Sequence, residues 1–381
     1  MKIIHCADVH LDSAFTAHFD RDRARQRKKE VFSTFRRMMI YAEQNDICAV
    51  IIAGDLFDAD TVSSGTIDAV FDEIGRHKGL DVYYLRGNHD PGTSIWGAIR
   101  TPDNLHMFDD NWSYYLLNDD TDDVRTEKSN IVLAGVVMNA ENCNNLYREL
   151  DLRESDFNIV TLHGQEREYG EAHSPEDICM ERLRDQYIDY LALGHIHKSK
   201  KARLDHRGIY CYPGCLEGRG FDECGQHGFV VLDIDEDTRR CSAEFVPFAY
   251  RVLYDLDINI SEIESGEELD SVIEDQIYTY IYSEKDRVGK DIARITLRGE
   301  IGADNEVSTD YIQKEFKDMF YYLEIRNMTD TCVDINQYMR DATLKGEFVR
   351  MVMQQDIPEE DKTFIIRTGL KALAGEEIWT E

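Results

Sequence analysis

Ala49-Val-Ile-Ile-Ala-Gly-Asp55 is an apolar run rich in β-branched residues that stops at a glycine and hands over to a carboxylate. Its length and composition predict a buried strand, and Gly54 lets the chain turn sharply so that Asp55 lies just past the strand's carboxyl end. Four more segments within the first 200 residues have the same form. Lys2-Ile-Ile-His-Cys6 leads into Asp8-Val-His10, and Asp81-Val-Tyr-Tyr-Leu85 leads into Gly87-Asn88-His89-Asp90. Phe157-Asn-Ile-Val-Thr-Leu162 leads into His163-Gly164, and Tyr190-Leu-Ala-Leu193 leads into Gly194-His195-Ile-His197. Five apolar strands that each end in polar side chains predict an α/β fold whose functional residues gather outside the carboxyl ends of the strands.

Any one of these histidines alone reads as an ordinary core or surface residue. Together, Asp8, His10, Asp55, Asn88, His163, His195 and His197 are a donor set for two metal ions, with His89 to spare. A phosphodiester is an anion that resists attack by another anion. Two ions roughly 3.5–4 Å apart answer this by making a nucleophile from water and by neutralising the phosphoryl oxygens. Ions that close need a bridging carboxylate, and Asp55 is the best candidate. Alternate residues of an extended segment point to one side, so the D-x-H of Asp8 and His10 and the H-x-H of His195 and His197 are each expected to aim two ligands together. Imidazole, carboxylate and amide oxygen without thiolate suit Mn, Fe or Zn. Cys6, on its strand, reads as core packing.

With these motifs in this order the chain resembles the calcineurin-like metallophosphoesterases. Within them it is similar to the SbcD-type DNA repair exonucleases, including the YhaO-like branch. The opening Met1-Lys-Ile-Ile-His-Cys-Ala-Asp-Val-His-Leu-Asp-Ser13 resembles that branch in particular. Tyr190-Leu-Ala-Leu-Gly-His-Ile-His-Lys198, Tyr212-Pro-Gly-Cys-Leu-Glu217, Phe221-Asp-Glu223 and Gly228-Phe229 resemble the nucleases more than a generic phosphatase. The likeness covers about residues 1 to 250 and fades afterwards.

The resemblance implies a two-sheet metallophosphoesterase sandwich flanked by helices, a smaller α+β capping domain and a C-terminal helical tail. It implies one ion on Asp8, His10, Asp55 and His197 and the other on Asp55, Asn88, His163 and His195, with manganese the expected metal. His89 is then the transition-state stabiliser or general acid. Asp90 either holds the His89 ring or caps the turn before Pro91-Gly92. The protein phosphatases of the superfamily carry an arginine soon after the bridging Asp, whereas Gly54-Asp-Leu-Phe-Asp-Ala-Asp60 has none. Some SbcD relatives place a helper histidine where this chain has Asp58. That carboxylate cannot act as a cation, and it is expected to support His10 or His89 instead.

At 381 residues with 42% apolar composition the chain can bury more than one core. Residues 1–247 hold every ligand, with an acidic connector at Asn118-Asp-Asp-Thr-Asp-Asp123. Residues 248–340 read as the α+β unit, with strands at 251–258, 291–297 and 321–325 and helices at 267–282 and 310–319. Residues 341–381 read as two amphipathic helices. Leu344, Phe348, Met351 and Val352 are expected to line one face and Phe364, Ile365, Leu370 and Leu373 the other, with Gly375 as a stop. These helices either pack on their own domain or dock to the coiled coil of an SbcC-like or YhaN-like ATPase.

Nine cysteines without a zinc-type pairing, and no leader or membrane-length apolar run, lead to the expectation of a cytoplasmic protein with reduced thiols. With 43 basic and 75 acidic residues the net charge is −32, which suits a protein that grips a DNA backbone poorly on its own. Arg21-Asp-Arg-Ala-Arg-Gln-Arg-Lys-Lys29, with Arg36 and Arg37, is the basic exception. It is read as a solvated face of the first long helix, or else as a phosphate-backbone contact.

The expected activity is therefore two-metal phosphodiester hydrolysis by a DNA exo- or endonuclease of repair, working with an ATPase partner. The partner would supply the DNA-binding surface that this chain lacks, and a homodimer is the family expectation. The alternative is a free-standing phosphodiesterase or phosphatase acting on small phosphoesters. A non-catalytic subunit is disfavoured, because no ligand is missing and His89 is present.

Overall fold

The computed structural model describes residues 1–15, 19–59, 61–92, 100–117, 130–170, 174–261, 266–280, 289–302, 307–332 and 335–374. The acidic connector, the end of the 267–282 helix and Gly375 lie outside the described residues. Two compact units divide the chain, Met1–Leu253 and Tyr254–Glu381.

In the first unit the strands are β1 (Lys2–Cys6), β2 (Ala49–Ala53), β3 (Asp81–Leu85), β4 (Leu105–Met107), β5 (Ser113–Leu116), β6 (Ile131–Gly135), β7 (Phe157–His163), β8 (Gln165–Arg167), β9 (Asp177–Cys179), β10 (Tyr190–Gly194), β11 (Lys200–Arg203), β12 (Ile209–Tyr212), β13 (Gly228–Asp235) and β14 (Arg240–Pro247). They form two six-stranded sheets, ordered β14-β13-β1-β2-β3-β4 and β11-β12-β10-β7-β6-β5, while β8 and β9 pair separately. Strands β1 to β4 run parallel, and so do β6, β7, β10 and β12. Antiparallel β13, β14, β11 and β5 complete the sheets.

The sheets pack face to face. Ile3, Ile51, Tyr83 and Leu85 of the first share a buried cluster with Leu133, Ile159, Tyr190 and Ala192 of the second. Each central strand is apolar on both sides because its other face is covered as well. On the second sheet, Val160, Leu162, Leu191 and Leu193 meet the short helices α3 (Leu146–Glu149) and α4 (Met180–Leu183). The crossovers of the first sheet are α1 (Arg21–Gln44) and α2 (Ser64–Arg76). Asp20 caps α1 by accepting from the backbone N–H of Asp22 and Arg23. Val31, Phe35, Met38, Met39 and Ala42 are buried at the spacing read from the sequence.

The basic stretch of α1 is engaged within the fold in part. Arg27 is fully buried, donating to Glu30 at 2.7 Å and to Glu217 at 3.2 Å. Lys28 is bonded to Asp12 and Arg23 to Asp20. Arg21, Arg25 and Lys29 are exposed.

The second unit begins with β15 (Leu253–Asn259), which straddles the division, followed by α5 (Gly266–Tyr280), β16 (Ile292–Gly302), α6 (Thr309–Phe316) and β17 (Tyr322–Cys332). The three strands form one sheet in sequence order, with β16 and β17 parallel over eleven residue pairs. Ile258, Ile273, Ile277, Ile295, Ile312 and Leu323 make its core. A separate cluster joins α7 (Ile335–Arg340), α8 (Leu344–Met353) and α9 (Glu359–Ala374), built from Tyr338, Val349, Val352, Ile366 and Leu370. The helical tail therefore starts before residue 341, because α7 packs with it. The expected apolar faces also shift: Leu344, Met351 and Phe364 are exposed, and Val349 and Ile366 take the core positions.

Candidate metal centre

The five ligand segments leave the carboxyl ends of β1, β2 and β3 in one sheet and of β7 and β10 in the other. The loops after β1 and β2 run side by side beyond the sheet. Asp8 N–H donates to Gly54 C=O at 3.1 Å, His10 N–H to Asp55 C=O at 3.0 Å and Leu11 N–H to Leu56 C=O at 2.9 Å. Asp8, His10, Asp55 and His195 all have left-handed backbone, with φ of 51°, 47°, 51° and 99°. This corrects the reading of Asp8 and His10 as alternate residues of an extended segment. Their side chains converge because left-handed residues separated by Val9 redirect them, a conformation that costs on the order of 1–3 kcal/mol per residue and clusters at functional sites. Gly54 (φ 96°) is needed for a second reason, since a Cβ there would enter the His163 ring. A Cβ at Gly87 would likewise strike the Asp55 carboxylate.

His163 ties the sheets together. Its Nδ1–H donates to Ala53 C=O at 2.8 Å, which leaves the Nε2 lone pair facing inward. Around it, Nε2 lies 3.3 Å from Asp55 Oδ2 and 3.0 Å from Asn88 Oδ1, and Asn88 Oδ1 is 3.3 Å from His195 Nδ1. On the other side, His10 Nε2 is 3.2 Å from His197 Nε2 and 3.7 Å from the same Asp55 Oδ2, while His197 Nε2 is 4.0 Å from Asp8 Oδ1. The structure thus brings all seven residues together as two groups that share Asp55 Oδ2. The other oxygen, Oδ1, is occupied by the backbone N–H of His89 at 2.8 Å.

The electrostatics show what such a cluster is suited to hold. Burial lifts the Asp8 carboxyl to about 6. Burial acts in the same sense on Asp55, but the hydrogen bond and charge of His163 outweigh it and hold that carboxyl well below its usual range. Burial would lower His163, yet Asp55, aided by Asp8, raises it to about 9. Burial, followed by the Arg219 charge, lowers His10 to about 2. Two buried carboxylates beside imidazole nitrogens whose lone pairs face each other fit cations better than protons. Ligand atoms bonded at about 2.0–2.2 Å to one ion lie roughly 3 Å or a little more apart, and the facing atoms here are 3.0–3.3 Å apart around Asn88 and 3.2–4.0 Å apart around His197.

His89 is half-exposed, its ring 5.1 Å from that of His10. The carboxylate beside it is Asp58, with Oδ1 4.0 Å from His89 Nδ1. Asp90 does not hold the ring. Its Oδ1 accepts from Phe57 N–H at 2.8 Å and its Oδ2 from Gly87 N–H at 2.7 Å, so it caps the turn and locks it to the loop after β2. Burial, then the nearby Asp55 charge, raises the Asp90 carboxyl to about 7.

Two residues escaped the sequence reading. Glu223 Oε1 lies 2.7 Å from His197 Nδ1 and forks with Arg219, whose Nη2 is 2.9 Å from Oε1. With Nε2 facing the cluster, Nδ1–H donates to Glu223, which fixes the tautomer and the ring. The stretch Phe221-Asp-Glu223 resembles the nucleases, but no spacing rule connects residue 223 to residue 197.

Comparison with known proteins matches the calcineurin-like phosphoesterase family to residues 1–199, more than half of the chain. The chain belongs to this family. It is a metal-dependent phosphoesterase, and the family binds a dinuclear divalent metal site. The uncharacterized metallophosphoesterase YhaO of Bacillus subtilis is 28% identical over 244 residues, covering 61% of this chain and 57% of YhaO, so the match spans little more than half of that relative. The DNA double-strand break repair protein Mre11 of Methanopyrus kandleri is 22% identical over 405 residues, covering 98% of this chain and 82% of that one. Among solved structures, TT1561 of Thermus thermophilus aligns with a TM-score of 0.40 and 13% identity, over 64% of the phosphoesterase and 98% of TT1561. No helix among the described residues of the phosphoesterase is long and apolar enough to cross a membrane.

Proposed function

We propose that this phosphoesterase is a DNA nuclease of double-strand break repair that works with a coiled-coil ATPase of the SbcC or YhaN kind. The observation that carries the site is Asp55 Oδ2, 3.7 Å from His10 Nε2 and 3.3 Å from His163 Nε2, between two donor groups. Asp8, His10, Asp55 and His197 would hold one ion and Asp55, Asn88, His163 and His195 the other, with manganese the proposed metal. When bound, the pair lowers the pKa of water and neutralises charge on the phosphoryl oxygens. Glu223 keeps the His197 tautomer. Asp90 holds the loop that presents Asn88 and His89. His89 delivers a proton to the departing oxygen, a role that contributes typically 10²- to 10⁴-fold, and Asp58 steadies the imidazolium.

The DNA substrate is supported by the likeness to Mre11 along nearly the whole chain. The second unit then selects the form of DNA and its helical tail docks the partner. The tail presents an apolar groove of about 390 Å³ lined by Leu344, Phe348, Met351, Gly369, Ala372 and Leu373. The net charge of −32 favours a second reading, a free-standing phosphodiesterase for small molecules. The test is purified protein with Mn²⁺, assayed on double-stranded DNA, single-stranded DNA and bis-p-nitrophenyl phosphate beside His89→Ala. Cleavage of DNA that is lost in His89→Ala is expected. Hydrolysis of the small diester alone, even with the partner added, overturns the nuclease reading, and activity that survives His89→Ala refutes the role of that residue.

A further inference from the structure

We propose that Arg219, on the loop after β12, is the cation that binds the substrate's phosphoryl oxygens, the task for which no arginine follows Asp55. The inference rests on the phosphoesterase reading and names the residue that recognises the anion.

The guanidinium is built in rather than loose. Its side chain is 23% exposed. Nε lies 3.2 Å and Nη2 2.9 Å from Glu223 Oε1, and the backbone N–H of Arg219 donates to Glu223 Oε2 at 2.8 Å. One carboxylate thus holds the residue through both its main chain and its side chain. Among the described residues, Nη1 makes no hydrogen bond. Nη2 lies 3.1 Å from His197 Nδ1, and the His10 ring stands 5.1 Å from the rings of both His197 and His89, which places the guanidinium beside the cluster that His89 faces.

A purely supporting role does not account for this arrangement. His197 needs one acceptor for Nδ1–H and has it in Glu223 at 2.7 Å. Arg219 Nη2 is 3.1 Å from the same Nδ1, but arginine has only donors, and a donor facing an N–H adds nothing to the hold on that ring. What a fixed guanidinium with an unused arm lacks is an anion, and a planar fork suits the oxygens of a phosphoryl group. In a chain of net charge −32 such a cation is also where an anionic substrate is drawn in.

The test compares manganese-loaded wild type with Arg219→Gln and Arg219→Lys. Orthophosphate binding is measured by calorimetry, bound manganese by elemental analysis, and KM and kcat on bis-p-nitrophenyl phosphate. Arg219→Gln is expected to weaken orthophosphate binding and raise KM by about 10- to 100-fold, the worth of one hydrogen bond to a charged group, with manganese content unchanged. Arg219→Lys, which keeps the charge but loses the fork, is expected to fall between the two and carries the test if Arg219→Gln does not fold. Unchanged orthophosphate affinity overturns the proposal. So does a loss of manganese in both variants, which would make Arg219 a support for His197. Wild type that holds manganese but splits no phosphodiester defeats the reading of the function, whereas orthophosphate binding still decides the role of Arg219.

Discussion

Asp55 illustrates how each atom of the centre is assigned. Oδ2 is shared between two donor groups while Oδ1 takes the His89 N–H, so the proposed bridging group also fixes the backbone of the residue proposed to face substrate. Glu223 stands in the same relation to His197. Replacing it with glutamine leaves an amide that can present its NH₂ to Nδ1 and lose the tautomer. Glu223→Gln is therefore expected to weaken manganese binding about 10- to 100-fold, read by titration of the apo protein. Unchanged affinity would show that the ring is held by packing. Asp58→Asn removes the charge beside His89 without touching a proposed ligand, so kcat is expected to fall by about tenfold, on the order of 1.4 kcal/mol, with metal affinity unchanged. These side chains mark the limit of what the sequence reveals. Asp8, His10, Asp55, Asn88, His163, His195 and His197 follow strands that end in glycine or polar residues, a local pattern. Glu223 and Arg219 sit on a loop with no periodicity and meet His197 only through tertiary folding. Asp90 shows the converse, for the same tetrapeptide suits a turn cap or a partner for His89, and only the direction of its oxygens distinguishes them.

At the scale of elements, α1 is fastened by a buried network. Glu30 accepts from Gln26 at 2.9 Å and from Arg27 at 2.7 Å, and Arg251 donates to it at 2.8 Å and 2.6 Å. Arg27 also reaches Glu217 and the Gly218 carbonyl, just before Arg219. The network therefore joins the first crossover helix to the loop that supplies Arg219 and Glu223. Burial would raise the Glu30 carboxyl, but hydrogen bonds from Arg251, Gln26 and Arg27 hold it below its ordinary value. A depressed folded pKa means stability that is present above the unfolded value, about 4.3, and lost as pH falls through the folded value. Glu30→Gln leaves Arg27 and Arg251 short of a buried counter-charge and is expected to cost about 3 kcal/mol near neutral pH. Denaturant titrations should show this gap begin to close below about pH 4, where the unfolded chain protonates, and vanish only once the pH passes below the folded value, where Glu30 is neutral in both states. A gap that persists at low pH would assign the loss to packing. The strands were legible because their apolar runs stop at turn residues, and the limits of β1, β2 and β3 coincide with the runs. The tail helices were less so, because neighbouring apolar residues left the choice of buried face to tertiary packing, and Gly369 settles it by lying where a Cβ would strike the Phe348 ring.

Across the whole molecule the net charge of −32 and the proposed substrate oppose each other. A surface of this sign repels a phosphate backbone, so affinity has to come from somewhere else. The small diester offers a way to separate chemistry from grip. Its hydrolysis depends on the metal centre and should change little between about 50 and 200 mM salt, because one short-range contact releases few counterions. DNA cleavage should depend on the docked ATPase and fall steeply over the same range. The groove between α8 and α9 is the proposed docking surface, and it is where the contact with the ATPase is tested. Leu344 and Met351 are 70% and 61% exposed, outside the cluster of Val349, Val352, Ile366 and Leu370, so Leu344→Glu with Met351→Glu places charge on the groove and leaves that core intact. Co-purification with the ATPase is expected to be lost in the double variant while kcat on bis-p-nitrophenyl phosphate stays at the wild-type value. If the variant still co-purifies, the groove is not the docking surface. If DNA cleavage by the variant matches that of the wild-type complex, the grip on DNA belongs to this chain despite its charge.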